Sequence, residues 1–462
     1  MMSATFTIDE ILTLDGAVLH GVVEEEVKDS KFSISTDSRT IKAGADIYLA
    51  LKGERFDGHN FTDKAFDNGA SLAIVEADSL ASVASSLSKP RPLLAVPNSL
   101  AAYQGLARLY LRKCKAKVIA ITGSSGKTTT KEMTAAATSA RRVHKSLANE
   151  NNEIGVPKTI LSMLADTEIL ILEMGMRGLG QIAELAACGT PDIAIITCAG
   201  TAHIELLGSR ENIAQAKCEL FAALDVERGR AIIGDGTEYL LAEAKRVFSG
   251  AIETCPTLEI VKAASQGTTF RIAGSKQEFF VRAHGRVLLE DAWCAIAAAR
   301  ASGINDEDIA QGLSQFAAVE GRGNAHKSPQ GATVVDESYN ANPDSVRCAV
   351  EAILSHAYPQ KDKIVVLGAM AELGEFTEPL HLDLGVWLKD KPLSLLVTVG
   401  AIASGIASGA NGASYEVASV ETQEDALSRI LPRLGHDSCV MVKGSHSTNL
   451  DRLVQNILGK NG

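Results

Sequence analysis

The sequence predicts an α/β protein of three domains: a small mixed α/β N-terminal domain, a central parallel-sheet domain and a C-terminal doubly wound domain. Three observations carry this. Short apolar runs alternate with helix-length segments, the rhythm of βαβ units. The 462 residues suit about three domains at roughly 150 residues each. Breaks fall near Ser88–Pro92 and Gly321–Gly323, dividing the chain into 1–95, 98–318 and 319–462.

In the first zone Asp46–Leu51 and Ser71–Val75 read as strands. In the second the strands are Val118–Ile121, Ile169–Glu173, Ile193–Thr197 and Ala231–Ile233, with helices at Thr130–Ala140, Ile213–Leu224 and Asp291–Ala301. A mostly parallel sheet follows, with ligands at the carboxyl ends of its strands. In the third, Ile364–Leu367, Leu395–Val399 and Val440–Val442 read as strands. Gly368, Gly400 and Gly444 follow them, each permitting a sharp turn. This is a small Rossmann-like domain.

Composition excludes several function classes. Hydrophobic residues make up 46% and charged residues 22%, which suits a folded globular chain and not a disordered one. The net charge of −11 argues against nucleic acid as a main partner, because phosphate backbones need a basic footprint. The eight cysteines, at 114, 188, 198, 218, 255, 294, 348 and 439, have neither C-x-x-C nor paired spacing, so no zinc site or disulfide frame is indicated. Met1–Ser30 is acidic and lacks the pattern of a signal peptide. No apolar run approaches the roughly 20 residues of a membrane span. A cytoplasmic location is expected.

Thr122-Gly123-Ser124-Ser125-Gly126-Lys127-Thr128-Thr129 carries the strongest chemical signal. Strand, glycine-rich loop, Lys-Thr and helix is the layout of a triphosphate cradle, so the central domain reads as a P-loop-type ATPase. Glycines let backbone N–H groups approach phosphate, and the helix N-terminus adds a positive dipole end. Lys127 would reach the β- and γ-phosphates, and the Thr128 hydroxyl would hold Mg²⁺. Gly123, Ser124, Ser125, Gly126, Lys127, Thr128 and Thr129 form the expected nucleotide-binding set. The usual eight-residue pattern needs glycine at 121, where this chain has Ile121.

Weaker signals surround it. Glu173 ends an apolar strand beside Met174 and Gly175, where a magnesium carboxylate would sit; a solvated strand-end acid explains it equally. His203 follows the strand Ile193–Thr197, and Lys217 lies on the next helix, where lysines are normally solvated. Asn149, Asn151, Asn152 and Glu153 crowd a turn before Pro157. Tyr339, Asn340 and Asn342 form a second amide-rich turn. Asx-Pro turns are common, but several such clusters near strand ends favour one shared site.

Taken together, these segments resemble the Mur ligase family, the ATP-dependent amino-acid-adding enzymes of peptidoglycan synthesis. The resemblance covers nearly the whole chain. Thr36–Arg39, Gly44, Ala50–Gly53 and Phe56–His59 look like the family's UDP-sugar domain, making Ser38 and Arg39 substrate contacts. The short loop Thr122–Thr128 looks like the family's own phosphate loop. Asn149–Pro157 and Tyr339–Pro343 look like hallmarks of the member that adds D-alanyl-D-alanine; the Asp-Asn-Pro-Arg string of the third-residue-adding member is absent. Leu367–Gly374, His381 and Val442–Ser445 fit the C-terminal ligase domain.

The resemblance implies an amide ligation through an acyl phosphate. Its substrates would be ATP, UDP-N-acetylmuramoyl-tripeptide and D-Ala-D-Ala, with two Mg²⁺ ions. Thr128 and Glu173 would bind one Mg²⁺ and His203 a second. Lys217 would be carbamylated and so become an oxygen ligand. Arg322 would contact the nucleotide phosphates and Asp336 the ribose. A monomer is expected. Asp291 and Cys294 stand where the family has an asparagine-rich helix start, Ala369 where Asp is common and His446 where Arg is common. Alternatives are another ligase of this architecture, such as the third-residue-adding enzyme or folylpolyglutamate synthetase, a non-catalytic nucleotide-binding homologue, and, more weakly, a kinase.

Overall fold

The structure, a computed structural model, describes residues 4–22, 30–53, 56–264, 266–355 and 357–460. Of the acidic stretch Met1–Ser30, residues 1–3 and 23–29 lie outside the described residues. The chain divides into two compact units. The first is Met1–Ala120 with Arg141–Gly175 and Ala183–Asp192; the second is Ile121–Ala140 with Met176–Ile182 and Ile193–Gly462.

In the first unit, strands β1 (Val18–His20), β2 (Ser33–Ser35), β3 (Asp46–Leu49), β4 (Ala73–Glu76) and β5 (Leu93–Val96) form a sheet in the order β1-β5-β4-β3-β2. Only β1 pairs antiparallel, with Val18 opposite Ala95. Tyr48, Phe66, Ala73 and Val75 build its core. The helix Ser99–Lys113 starts at Asn98, whose side chain accepts from Ala101 N, and packs on the helix Gly155–Ser162. β6 (Lys117–Thr122) then leads the chain into the second unit. In the first unit, Lys117 N donates to Glu168 O at 2.8 Å, and β7 (Val143–Lys145) pairs parallel with β8 (Ile169–Glu173).

In the second unit, Thr197 N donates to Thr122 O at 3.0 Å, so the end of β6 runs beside β9 (Ile193–Ile196). Parallel pairing continues through β10 (Arg230–Ile233) to β11 (Ile252–Thr254). The predicted strands stand. The helix after the glycine loop, α1 (Lys127–Ala137), starts three residues before the predicted Thr130. Lys127, Thr128 and Thr129 therefore belong to its first turn, where N–H groups point outward. α2 (Arg210–Ala222) and α3 (Arg286–Ala301) flank the sheet, and α3 packs on α1.

An antiparallel sheet of β12 (Leu258–Ala264), β13 (Gly267–Ile272) and β14 (Glu278–Val281) was not legible. β12 is mostly exposed and lacks the apolar run that marks a strand.

The last sheet runs β15 (Asn324–Lys327), β16 (Thr333–Glu337), β20 (Ser438–Lys443), β17 (Asp362–Leu367), β18 (Leu395–Val399), β19 (Glu416–Val420), with only β15 antiparallel. Helices α4 (Pro343–Leu354), α5 (Thr377–Lys389), α6 (Ser404–Gly409), α7 (Gln423–Ile430) and α8 (Leu450–Ile457) connect and close it. Val334, Ile364, Val366 and Val440 pack under α7 and α8. Their opposite-phase neighbours Val335, Val365, Leu396 and Met441 are buried too, so both faces are covered. Among the described residues no helix is long and apolar enough to cross a membrane.

Candidate active site

In the second unit the loop Gly123–Gly126 is stitched to the segment after β9. Ser124 N donates to Cys198 O at 3.0 Å, and Gly200 N donates to Ser124 Oγ at 2.9 Å. The Ser125 Oγ lies 3.2 Å from Cys198 Sγ. A Cβ at Gly123 would collide with Thr197 Oγ1. Gly126 holds φ +80°, and a Cβ there would lie 2.5 Å from Asp291 Oδ1. Gly126→Ala should therefore destabilise the fold by at least about 1–2 kcal/mol from the left-handed backbone alone. Chemical denaturation reads this, and an unchanged midpoint would contradict the strain. Lys127 Nζ donates to Gly123 O at 2.7 Å, which folds the ammonium along the loop.

Lys217 departs from its local reading as a lysine on an ordinary helix. It is 2% exposed, on the inner face of α2 among Ile213, Ala214 and Phe221. Burial, together with the positive charge of Lys127, pushes its pKa down to about 7, against a smaller opposing effect of Cys198 and Cys218. Its side chain is thus a buried amine within electrostatic reach of Lys127.

His203 adopts φ +64°, and its Nδ1 lies 2.8 Å from Glu372 Oε2. Glu372, also left-handed at φ +60°, is held below its usual pKa by His203. The segment Ala199–Thr201 is clamped by Asp344, which sequence reasoning missed. The Asp344 carboxylate accepts from Thr201 N at 2.9 Å, Thr201 Oγ1 at 3.0 Å and Arg210 Nη2 at 3.1 Å. Gly200 passes so close that a Cβ would lie 2.5 Å from Asp344 Oδ2. In sequence, Asp344 reads only as a first-turn acid behind Asn342 and Pro343.

Arg322 stacks its guanidinium 4.2 Å from the Tyr339 ring centroid, and its buried Nε has no hydrogen-bond partner. Tyr339 also meets His446 edge-on. Lys443 Nζ donates to Asn340 O and to Glu337 Oε2, both at 3.0 Å. Two predicted contacts have structural work. Asn342 caps α4, its Oδ1 accepting from Ser345 N. Asp336 is buried, its Oδ1 accepting from Ser338 N and Oγ. His381 Nε2 accepts from Met370 N, fixing the Ala369–Leu373 loop.

A cavity of about 260 Å³ in this unit is lined by Ser125, Thr197–Gly200, Asp235, Glu290, Asp291 and the α4 residues Asp344 and Cys348. Burial holds the Asp291 carboxyl well above the usual carboxylate range. A hydrogen bond with the Thr130 side chain opposes that effect of burial.

In the first unit, Glu173 is 2% exposed at the end of β8 and accepts from Asn151 Nδ2 at 3.0 Å. Gly175 N donates to Asn151 O at 2.8 Å, and Gly155 N to Asn152 Oδ1 at 2.9 Å. The amide cluster therefore shapes the turn and fixes Glu173, while Asn149, Asn152 and Glu153 stay exposed. A second cavity of about 300 Å³ is lined by Asp37, Ser38, Arg39, Tyr48, Phe56, Phe61 and Lys64. Arg39 Nη2 donates to Asp37 Oδ2 at 2.7 Å and holds that carboxyl down to about 2. Phe56 and Phe61 stack with centroids 5.3 Å apart, an exposed aromatic platform the sequence did not single out.

Residues 33–109 match the Mur ligase family catalytic domain, 121–299 the Mur ligase middle domain and 321–446 the Mur ligase glutamate ligase domain. The UDP-N-acetylmuramoyl-tripeptide–D-alanyl-D-alanine ligase of Bacillus subtilis (strain 168) is 34% identical over 438 residues, covering 92% of this chain and 93% of that protein. A crystal structure of MurF from Acinetobacter baumannii superposes with TM-score 0.86 at 29% identity, over 99% of this chain and 100% of that one. MurF ligase from Thermotoga maritima in complex with ADP gives TM-score 0.79 at 27% identity, over 93% and 97%.

Proposed function

The chain belongs to the Mur ligase family, and from that premise we propose how its residues divide the work of adding D-alanyl-D-alanine to UDP-N-acetylmuramoyl-tripeptide at the expense of ATP. The observation that carries the proposal is the loop Gly123–Gly126 at the start of α1, with Lys127 in its first turn and the buried Lys217 within electrostatic reach.

Carboxylate, ATP and acyl phosphate are all anionic, so the site must offset their repulsion. The N–H groups of the Gly123–Thr129 segment and the Lys127 ammonium hold the β- and γ-phosphates. Arg322, with its unpaired Nε, contacts the nucleotide phosphates. The tripeptide carboxylate attacks the γ-phosphorus, the bond to ADP breaks, and an acyl phosphate forms. The dipeptide amine then attacks the acyl carbon, the C–O bond breaks with its electron pair going to the departing phosphate, the nitrogen gives up a proton, and an amide remains. Tyr339 and Asn340 are proposed as dipeptide contacts, and Asn149, Asn151, Asn152 and Glu153 as tripeptide contacts. The packing of Asp344 on Gly200 and Thr201 would help keep water from the acyl phosphate.

Among the described residues no three of His, Cys, Asp and Glu converge on a metal position. That suits magnesium, which keeps several waters and is bound by one or two protein oxygens plus phosphate. Thr128 and Glu173 are each proposed as a ligand of one Mg²⁺ and His203 as a ligand of a second, and these ions, when bound, would offset phosphate charge. Lys217 is the proposed carbamate. With a pKa near 7 its amine is substantially neutral at physiological pH. The neutral nitrogen adds to the carbon of CO₂ and sheds a proton, giving an anionic oxygen ligand. A cytoplasmic monomer is proposed.

The platform of Phe56 and Phe61 is proposed to stack the uracil ring beside Ser38 and Arg39. Base stacking is worth about 1–3 kcal/mol, so Phe56→Ala should raise the KM for the UDP substrate by roughly five- to 150-fold and leave that for ATP unchanged. Equal KM values in steady-state kinetics would place the nucleotide-sugar elsewhere. The reaction itself is tested by product mass with each of the three substrates omitted in turn. The pentapeptide should form only in the complete mixture.

A further inference from the structure

His59 lies between the two phenylalanines of the exposed platform, in a segment with little apolar anchorage of its own. Phe56-Asp57 pairs antiparallel with Lys52-Gly53, and a single 3₁₀ turn, Gly58–Phe61, follows. Phe56 is 53% exposed and Phe61 38%, whereas His59 is 6% exposed. Both nitrogens of the buried ring are engaged. Nε2 accepts from Glu76 N, at the end of β4, at 2.9 Å. With Nε2 accepting, the ring proton sits on Nδ1, which donates to Asp57 Oδ1 at 2.6 Å. The same Asp57 oxygen accepts from His59 N at 3.0 Å and so caps the turn. The anchor point is itself held, because Glu76 Oε1 accepts from Ser99 Oγ at 2.8 Å and Ser99 N at 3.1 Å. His59 does not line the 300 Å³ cavity, so it can act on a ligand there through Phe56 and Phe61.

We propose that His59 is a positioning residue for the nucleotide-sugar, fixing the turn so that Phe56 and Phe61 stand as a preformed platform for a flat pyrimidine ring. This rests on reading the platform as the uracil site. The two rings are within 12° of parallel. A loose turn would have to be ordered when the ligand binds, which lowers affinity; a turn fixed in the folded protein avoids that cost. Removing the imidazole leaves the Glu76 N–H without its acceptor and takes one donor from Asp57. Both phenylalanines would remain, but their orientation would no longer be set.

The test is a double-mutant cycle on the whole protein, read by steady-state kinetics. His59→Leu keeps the bulk of the side chain without its nitrogens. It should raise the KM for UDP-N-acetylmuramoyl-tripeptide about fivefold or more, with kcat and the KM for ATP within about twofold of the parent. His59→Gln, whose amide oxygen can still accept from Glu76 N, should return that KM to within about twofold. Phe56→Ala combined with His59→Leu should be no more than about twofold worse than Phe56→Ala alone, since both act through one platform. Thermal melts establish that each variant is folded. If His59→Leu is not, Asp57→Ala carries the same prediction at a side chain that is 33% exposed. An unchanged KM in His59→Leu, beside a raised KM in Phe56→Ala, would overturn the positioning role and leave the uracil reading standing. An unchanged KM in Phe56→Ala would remove the platform and this proposal with it. Losses that multiply in the double variant, a fall in kcat with KM unchanged, or no recovery in His59→Gln would each make His59 a structural residue and overturn the proposal.

Discussion

Lys127→Ala is expected to abolish phosphate release and ligation together. The Lys127 ammonium already lies along the loop Gly123–Gly126, 2.7 Å from Gly123 O. Removing one preorganised donor from a developing anion typically costs about 10²- to 10³-fold in kcat, or about 2.7–4 kcal/mol. Methionine at 127 keeps the stem without the charge and should lose as much, which separates electrostatics from packing. Thermal melts confirm that each variant is folded. A folded variant within tenfold of the parent rate would remove Lys127 from the phosphate site.

The second large effect is expected at Lys217. Truncation to alanine should lower kcat by about 10²-fold or more, a loss comparable with that of other electrostatic groups in a water-excluded site. A short-chain carboxylic acid such as acetate should restore part of the rate, because it can occupy the space of the carbamate and supply its oxygens. The parent enzyme should not respond to acetate. It should respond to CO₂: exhaustive degassing should lower its rate, and bicarbonate should restore it. Full activity of Lys217→Ala, or no rescue by any small acid, would remove the carbamate.

The depressed pKa also has a thermodynamic sign. Between about 7 and the ordinary 10.5, the unfolded chain binds a proton at Lys217 that the folded chain does not. The unmodified fold should therefore gain stability as pH rises through that window, and lose it as pH falls towards 7.

How much of this was legible depended on range. The loop Gly123–Gly126 and the helix it starts could be read because their residues are contiguous. A strand, two glycines, Lys127 and Thr128 carry the geometry locally, and even without a glycine at 121 the strand, loop and helix follow in order. Lys217 was singled out only through the resemblance; its local sequence reads as an ordinary helix, because its burial comes from α2 packing inward. Its electrostatic neighbour Lys127 is far away along the chain. Asp344 and Glu372 were missed for the same reason. Each acts on a segment more than a hundred residues away, Asp344 on Gly200 and Thr201, Glu372 on His203. The amide clusters were noticed but not resolved. Asn342 caps a helix and Asn151 holds Glu173, whereas Tyr339 and Arg322 pair across a loop. Composition around each looks alike. Among the folds, the antiparallel sheet β12–β14 was missed because β12 buries too little to leave an apolar pattern.

The central claim is that the tripeptide carboxylate is activated by direct attack on the γ-phosphate. It is tested most directly by labelling both oxygens of that carboxylate with heavy oxygen and analysing the inorganic phosphate released with D-Ala-D-Ala and Mg-ATP present. The account predicts that each phosphate carries one labelled oxygen and each amide product retains the other. Phosphate free of label, formed in step with product, would contradict it, since the oxygen would then have come from water and not from an acyl phosphate.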